Sequence, residues 1–301
     1  FLDLVAQADV VVENRPVGYP DSIDLSYEDL RQVNDRVILV SISPFGESGP
    51  YKDYRATDLI VTQMSGMGYL QPGWQEATPD RPPVRPGGRQ ADFGAGLAAA
   101  VAMLHAVFER QITGHGSYVD LSSLETVASG ITTLLHPFID TGKVALRVPA
   151  GSPPDRGTGG ARVPTKNGYC ILPVNGYADW VSLVEIMGNP EWAQGERFQD
   201  ASVRNEYLEG VREELWEWTR TQDTQALYHA AQGRRIRAFP INTAADIVSS
   251  EQLSAREFFV EVDHPETGPL KYPGAPIRFS KTPWFIRRPA PRLGEHNVEV
   301  Y

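Results

Sequence analysis

Asp92 has the clearest setting for chemistry in this chain. It stands between VRPGGRQA (84–91), a loop rich in proline, glycine and arginine, and FGAGLAAAVAMLHAVFER (93–110), a Gly- and Ala-rich run with helical spacing. One carboxylate therefore sits at the mouth of a helix, behind a basic approach. Two uses are open to it. An Asp just before a helix accepts hydrogen bonds from the first free backbone amides and caps it. In the same place the helix dipole favours a negative charge and presents it to a ligand, and carboxylates serve as covalent nucleophiles, as in aspartyl-phosphate enzymes. The two roles are compatible if the carboxylate opens on a pocket.

Other chemistries find little support. The six histidines are scattered, with no HExxH motif and no paired cysteines, so no metal site is expected. Asp92-Phe93-Gly94 mimics the kinase DFG, but no catalytic-loop HRD or phosphate-binding Gly loop accompanies it. Gly157-Thr158-Gly159-Gly160 has neither the spacing nor the adjoining strand of a dinucleotide fingerprint, and there is no GxSxG elbow. The single cysteine, Cys170, excludes an internal disulfide framework and fits a reducing, cytoplasmic setting. Within YCILPV it reads as a buried small hydrophobe rather than a nucleophile. A net charge of −10 argues against nucleic acid or an anionic membrane as partner. The most apolar run, Gly94 to Phe108, reads as too short for a membrane span and contains His105. No signal peptide is visible.

The elements that must position Asp92 begin with β-branched runs. Ala8 to Asn14 and Arg36 to Ser43 read as buried parallel strands, with a helix from Tyr27 to Asn34 between them. A turn-rich loop, Pro44 to Pro50, follows. Strand, helix, strand and Gly/Pro loop make an α/β pattern with a parallel sheet. In such sheets ligands gather at the carboxyl ends of strands, which picks out Asn14 to Tyr19 and Ser43 to Asp58. The pattern continues with a helix over Asp58–Leu70, a loop over Gln71–Gln90, the long helix over Phe93–Gln111, a strand over Ser117–Leu121 and a helix over Ser122–Ile139.

The low-complexity run Pro149–Pro164 is the best boundary candidate. Beyond it come a strand over Gly168–Val174 and helices over Tyr177–Met187, Asn205–Thr219, Asp223–Ala231 and Thr243–Ser250. Phe258–Asp263 and Leu270–Tyr272 pair as a hairpin around Glu266-Thr267-Gly268, before a Pro/Arg-rich tail.

Several stretches then follow one another in a known order and spacing: ADVVVEN, SYEDLRQVNDRVILVSISPFGESGPY, ATDLIVTQMSG, QADFGAGLAAAVAMLHAVFER and TGHGSYVDLS, with GAPIRFSKTP and LGEH near the end. Over nearly its whole length the chain resembles the class III CoA-transferases of the CaiB/BaiF type, relatives of formyl-CoA transferase and α-methylacyl-CoA racemase. The resemblance implies a Rossmann-like large α/β domain with a parallel sheet and a smaller α+β domain. It places residues 1–160 in the large domain, 161–272 in the small one, and returns 273–301 to the large. It also implies two interlinked subunits, a first strand–helix segment ahead of Phe1, and a tail running past Tyr301.

Residue by residue, the resemblance makes Asp92 the nucleophile and Asp58 an acidic position that assists it. Arg55 becomes a CoA contact, Asn14 a neighbour of CoA, and Gly157, Gly159 and Gly160 a loop that closes over the intermediate. Arg85 and Arg89 join Arg55 as candidates to hold CoA phosphates, and backbone amides at the helix start, near Gly94 and Gly96, are candidates to stabilise oxyanions. Those glycines read equally as helix-packing positions. Tyr69 and Trp74 are candidates to shape an acyl pocket. Two positions depart from the family pattern: Arg15 stands where an aromatic is frequent, and Ser22 where an arginine contacts CoA. A third decides the chemistry. Racemases carry Gly-His-Asp where this chain has Ala56-Thr57-Asp58. Exchange of an α-proton needs two bases on opposite faces, and Thr57 is no base near neutral pH. The expected activity is CoA transfer from an acyl-CoA to a carboxylic acid, with CoA as substrate and no permanent cofactor. The alternatives are racemisation on the same fold and a non-catalytic CoA-binding homologue.

Overall fold

The structure, a computed structural model, describes residues 1–70, 84–144, 162–174, 176–195, 198–199 and 212–301. It divides into two units, Phe1–Pro154 and Asp155–Tyr301.

The first unit is a three-stranded parallel sheet in the order β1 (Val10–Glu13), β2 (Ile38–Ser43), β3 (Tyr118–Ser122). β2 is central, and its run ILVSIS is buried at every position but Ile42. Alternation sends the sheet's side chains to two faces. On one, Ile38, Val40 and Leu121 pack against Ala95, Ala99 and Ala106 of α4 (Gln90–Thr113). On the other, Leu39 packs with Val5 of α1 (Leu2–Val5) and Leu30 of α2 (Tyr27–Val33). α2 starts in a capping box in which Ser26 and Asp29 satisfy each other's backbone amides. That second face also carries a polar row, Glu13, Ser41 and Asp120, in register across the three strands. The Ser41 hydroxyl meets Glu13 and lies 2.7 Å from Glu47. Burial and a hydrogen bond to Glu47 push the Tyr118 phenol well above its usual range, so it stays protonated there.

α4 runs 24 residues, from Gln90 rather than Phe93. At about 1.5 Å per residue it is roughly 36 Å long, and its length and apolarity would suffice to cross a membrane. The expectation that this segment is too short for a span is therefore corrected. The cause is that the helix runs past the apolar segment at both ends, over residues 90–93 and 109–113. The helix stops at Gly114 in the left-handed region (φ 82°), whose N–H bonds to Arg110. Two residues on, a side chain at Gly116 would put its Cβ 1.9 Å from the Val37 carbonyl oxygen, so this approach to β2 requires glycine.

The helix expected over Ser122–Ile139 is two helices, α5 (Ser123–Ser129) and α6 (Thr132–Thr141), parted at Gly130 and Ile131. α3 (Asp58–Met64) ends six residues short of the expected Leu70, giving way to a 3-10 turn over Gly68–Leu70.

The second unit has a core around Trp180, Leu183, Phe198 and Ile236. Trp180 stacks on Phe198 at 4.6 Å and donates its indole N–H to the Ala193 carbonyl at 3.0 Å. A small antiparallel sheet, β4 (Arg162–Thr165), β5 (Gly168–Ile171) and β6 (Phe239–Pro240), covers it with helices Tyr177–Ile186, Arg212–Thr221 and Thr224–Gly233. Cys170 lies buried in that core, and burial pushes its thiol upward, as befits a packing residue. The expected hairpin is present as β7 (Phe259–His264) and β8 (Gly268–Pro273). Residues 273–301 group with this second unit, whereas the resemblance assigns them to the large domain. Their described contacts include Arg292 with Glu266 at 2.9 Å, His264 with the Ala290 carbonyl at 3.2 Å, and Arg278 with Glu257 at 3.8 Å.

Candidate active site

Because α4 returns the chain to β3, its first turn lies at the carboxyl ends of the strands. A cleft of about 560 Å³ opens there. Its walls bring together Asn14 just past β1, Ile42 near the end of β2, Ser123 just past β3, and Arg89, Asp92 and Gly96 from the start of α4. Of the residues named from sequence, Asn14, Arg89, Asp92 and Gly96 share this one cavity, while none of Ser43 to Asp58 lines it. Ser123 was not singled out from sequence, although the strand-end rule applied to β3 points to it.

Asp92 is not the cap of α4. The N-cap is Arg89, whose side chain makes no capping bond, and Asp92 sits in the first turn. The capping carboxylate comes from another helix. Asp58 opens α3 and is 5% exposed. Its Oδ2 accepts the Ala91 N–H at 2.9 Å and the Asp92 N–H at 3.2 Å, while its Oδ1 faces Arg85 at 3.5 Å. One buried carboxylate thus serves two helix N-termini, where both dipoles favour its charge. Asp58 is not among the cleft's lining residues, so its contact with the site runs through the backbone that carries Asp92.

This geometry overturns one expectation. The amides of Ala91 and Asp92 are occupied by Asp58, and that of Phe93 bonds the Arg89 carbonyl at 3.0 Å. They are therefore not free oxyanion donors. Both loop arginines have carboxylate partners here: Arg85 faces Asp58 at 3.5 Å, and Arg89 Nε lies 2.6 Å from Asp92 Oδ2. Arg55 is exposed three residues before Asp58 and does not line the cleft. Thr57 is the N-cap of α3, without a side-chain capping bond. Gly157, Gly159, Gly160 and Trp74 lie outside the described residues. Among the described residues no cluster of His, Cys, Asp or Glu could hold a metal ion.

Gly94 and Gly96 have open space where a Cβ would stand, so neither serves close packing among the described residues. Replacing either with alanine is expected to stabilise α4 by about 0.5–1 kcal/mol through helix propensity. Only Gly96 lines the cleft. Gly96→Ala should therefore gain stability and lose turnover, by roughly 10-fold or more, since one methyl in a shaped site is worth about 1–3 kcal/mol. Gly94→Ala should gain stability alone. Thermal melts and steady-state rates on the two variants check this, and equal rates would remove Gly96 from the ligand path.

Comparison with known proteins agrees with this architecture. The family model described as CoA-transferase family III matches residues 1–297. A succinate–glutarate CoA-transferase of Agrobacterium fabrum is 29% identical over 99% of this chain and 72% of its own length. The BbsE subunit of a succinyl-CoA:(R)-benzylsuccinate CoA-transferase from Thauera aromatica is 30% identical over 100% of this chain and 73% of its own. The crystal structure of a CaiB/BaiF family protein from Brucella suis superposes with a TM-score of 0.85 at 27% identity, covering 99% of this chain and 76% of that one.

Proposed function

Because the chain belongs to CoA-transferase family III, we propose that it moves CoA from an acyl-CoA donor to a carboxylic acid acceptor through an aspartyl-CoA thioester on Asp92. One observation carries this reading. Asp92 is a part-exposed carboxylate (41%) opening on a cleft at the ends of three parallel strands, with its backbone fixed from behind by Asp58. CoA enters as substrate, and no permanently bound cofactor is part of the reading.

An Asp92 oxygen attacks the thioester carbonyl, the C–S bond breaks, and CoA leaves as thiolate from a mixed anhydride. The thiolate attacks Asp92 Cγ, and the donor acid leaves as carboxylate. An acceptor carboxylate then attacks the resulting thioester at Cγ, thiolate departs, and its attack on the acceptor carbonyl releases the new acyl-CoA and the Asp92 carboxylate. Asn14 lies beside CoA in this scheme, Arg55 contacts it, and Gly157, Gly159 and Gly160 close over the intermediate. Thr57 supports transfer over racemisation, since its hydroxyl supplies no base near neutral pH.

Trapping tests the reading. Incubation with an acyl-CoA and hydroxylamine or borohydride should mark Asp92, read by peptide mass spectrometry. Modification elsewhere, or none, would sink it. Deuterium uptake at the α-carbon of a 2-methylacyl-CoA without an acceptor acid would favour the racemase.

The reading includes a second, interlinked copy of the chain. Phe93, Leu97, Val101, Leu104, Phe108 and Ile112 form a stripe along α4, each more than half exposed, and an apolar face of this size supports a partner. Leu97→Glu with Leu104→Glu is expected to turn a dimer into a monomer in analytical ultracentrifugation. A wild-type chain that sediments as a monomer would remove the partner from the scheme.

A further inference from the structure

The two arginines of the loop before α4 have different counter-ions. Arg85 faces Asp58, a buried carboxylate that the proposed reaction does not consume. Arg89 pairs with Asp92, which it does consume. Arg89 also occupies the N-cap of α4, the positive end of the helix dipole, where a cation is disfavoured. Its side chain is 73% exposed, and it shares the cleft wall with Asp92 and the apolar Ile42, Phe93 and Leu97. An exposed pair of this kind is weak enough to exchange partners.

Resting on the aspartyl-thioester reading, we infer that Arg89 is the receptor for the reacting carboxylate of the acid substrate. When Asp92 becomes a thioester it loses its charge, and Arg89 loses its counter-ion while still tethered one turn away. The planar guanidinium matches a carboxylate in a two-point grip. Because its Nε lies 2.6 Å from Asp92 Oδ2, a carboxylate held there has an oxygen beside Cγ, the atom it must attack. The exchange orders the reaction. In the free protein Arg89 is occupied and the Asp92 charge repels acids, so the thioester, uncharged at its reacting carbonyl, reacts first. In the CoA-loaded protein Arg89 is vacated and draws the acid. No atom is transferred to or from Arg89. The acceptor oxygen forms its bond to Cγ, the C–S bond breaks, and the electron pair leaves on the CoA sulfur. When Asp92 is released as carboxylate, Arg89 returns to it.

The experiment loads the full chain with CoA on Asp92 from an acyl-CoA, removes excess reagent, and follows discharge by three nucleophiles: acetate, succinate and hydroxylamine. Hydroxylamine is neutral and needs no cation to approach. In Arg89→Gln the second-order rate with both carboxylates should fall about 100-fold relative to that with hydroxylamine. Arg89→Lys should recover part of the loss, and millimolar guanidinium should partly rescue Arg89→Ala. Equal slowing with hydroxylamine would mean a structural effect and overturn the inference, as would unchanged carboxylate rates. Slowing with succinate alone would overturn it too, since Arg89 would then read a distant carboxylate. A wild-type chain that forms no Asp92 adduct defeats the underlying aspartyl reading and the inference with it, whereas an adduct whose discharge ignores Arg89 defeats the inference alone.

Discussion

Asp92→Ala is expected to lower CoA transfer by about 10⁴-fold or more, the scale on which loss of a covalent nucleophile is felt, while the protein stays folded. The two halves of the expectation come from the same geometry. Asp92 is part exposed, and its side chain meets Arg89 at the surface. Such a pair contributes about 0–1 kcal/mol, and placement in the first turn of α4 adds roughly 0.3–1 kcal/mol through the dipole. The melting temperature should therefore move by no more than about 4 °C. Asp92→Glu keeps the charge but pushes the carboxylate along the cleft by one methylene. A misplacement of that size is worth about 10²-fold, so this variant should be badly impaired although its electrostatics are intact. The measurement is the rate of acyl-CoA formation from a donor thioester and an acceptor acid, beside a thermal melt of each variant. Retention of the wild-type rate by Asp92→Ala would mean that Asp92 is a helix residue and no more.

The strands and the long helix were legible because local signals agreed with the tertiary environment. Ile38 to Ser43 is a run that the fold buries or half-buries, whereas Val10 to Glu13, expected as a buried strand, is half-buried with Val12 exposed; the reading misplaced the ends of both by only a residue or two. The start of α4 was misread for an instructive reason. Asp before an apolar periodic run is the local signature of an N-cap, yet the acceptor for the amides of Ala91 and Asp92 is Asp58, more than thirty residues away in sequence. A cap supplied from another helix leaves no local trace, so spacing alone set Asp92 just before the helix when the structure has it in the first turn.

Two other misses have local causes. Arg162 to Thr165 reads as the end of a Pro/Gly-rich loop, but the structure makes it a strand at the sheet's edge, where a proline such as Pro164 is tolerated. The break between α5 and α6 falls at Gly130, within a run whose apolar spacing continues on both sides. The cleft itself was half legible. Asn14 and Asp92 could be named in advance, the first from the resemblance and the strand-end rule, while the pairing of Arg89 with Asp92 depends on side-chain directions that spacing alone does not fix.

Asp58→Ala is the substitution expected to damage both stability and rate. It strips the acceptor from two backbone N–H groups in a site only 5% exposed and leaves Arg85 without its carboxylate. Each buried donor left unmade costs about 1–3 kcal/mol, so a loss of roughly 2–6 kcal/mol is expected. The first turn of α4 loosens with it, and the rate should fall about 10²-fold because Asp92 is no longer held in place. Asp58→Asn separates positioning from proton transfer. An amide oxygen still accepts both N–H bonds, so the cap survives and only the charge is lost, at a cost of about 1 kcal/mol. If Asp58 works by holding α4, the asparagine variant keeps most of the wild-type rate, and the pH dependence of turnover is the same for both. If Asp58 itself gave or took a proton, asparagine would be as inactive as alanine despite a nearly native melt, and one limb of the pH–rate profile would disappear. The buried setting and the two short contacts to the backbone that carries Asp92 favour the first outcome.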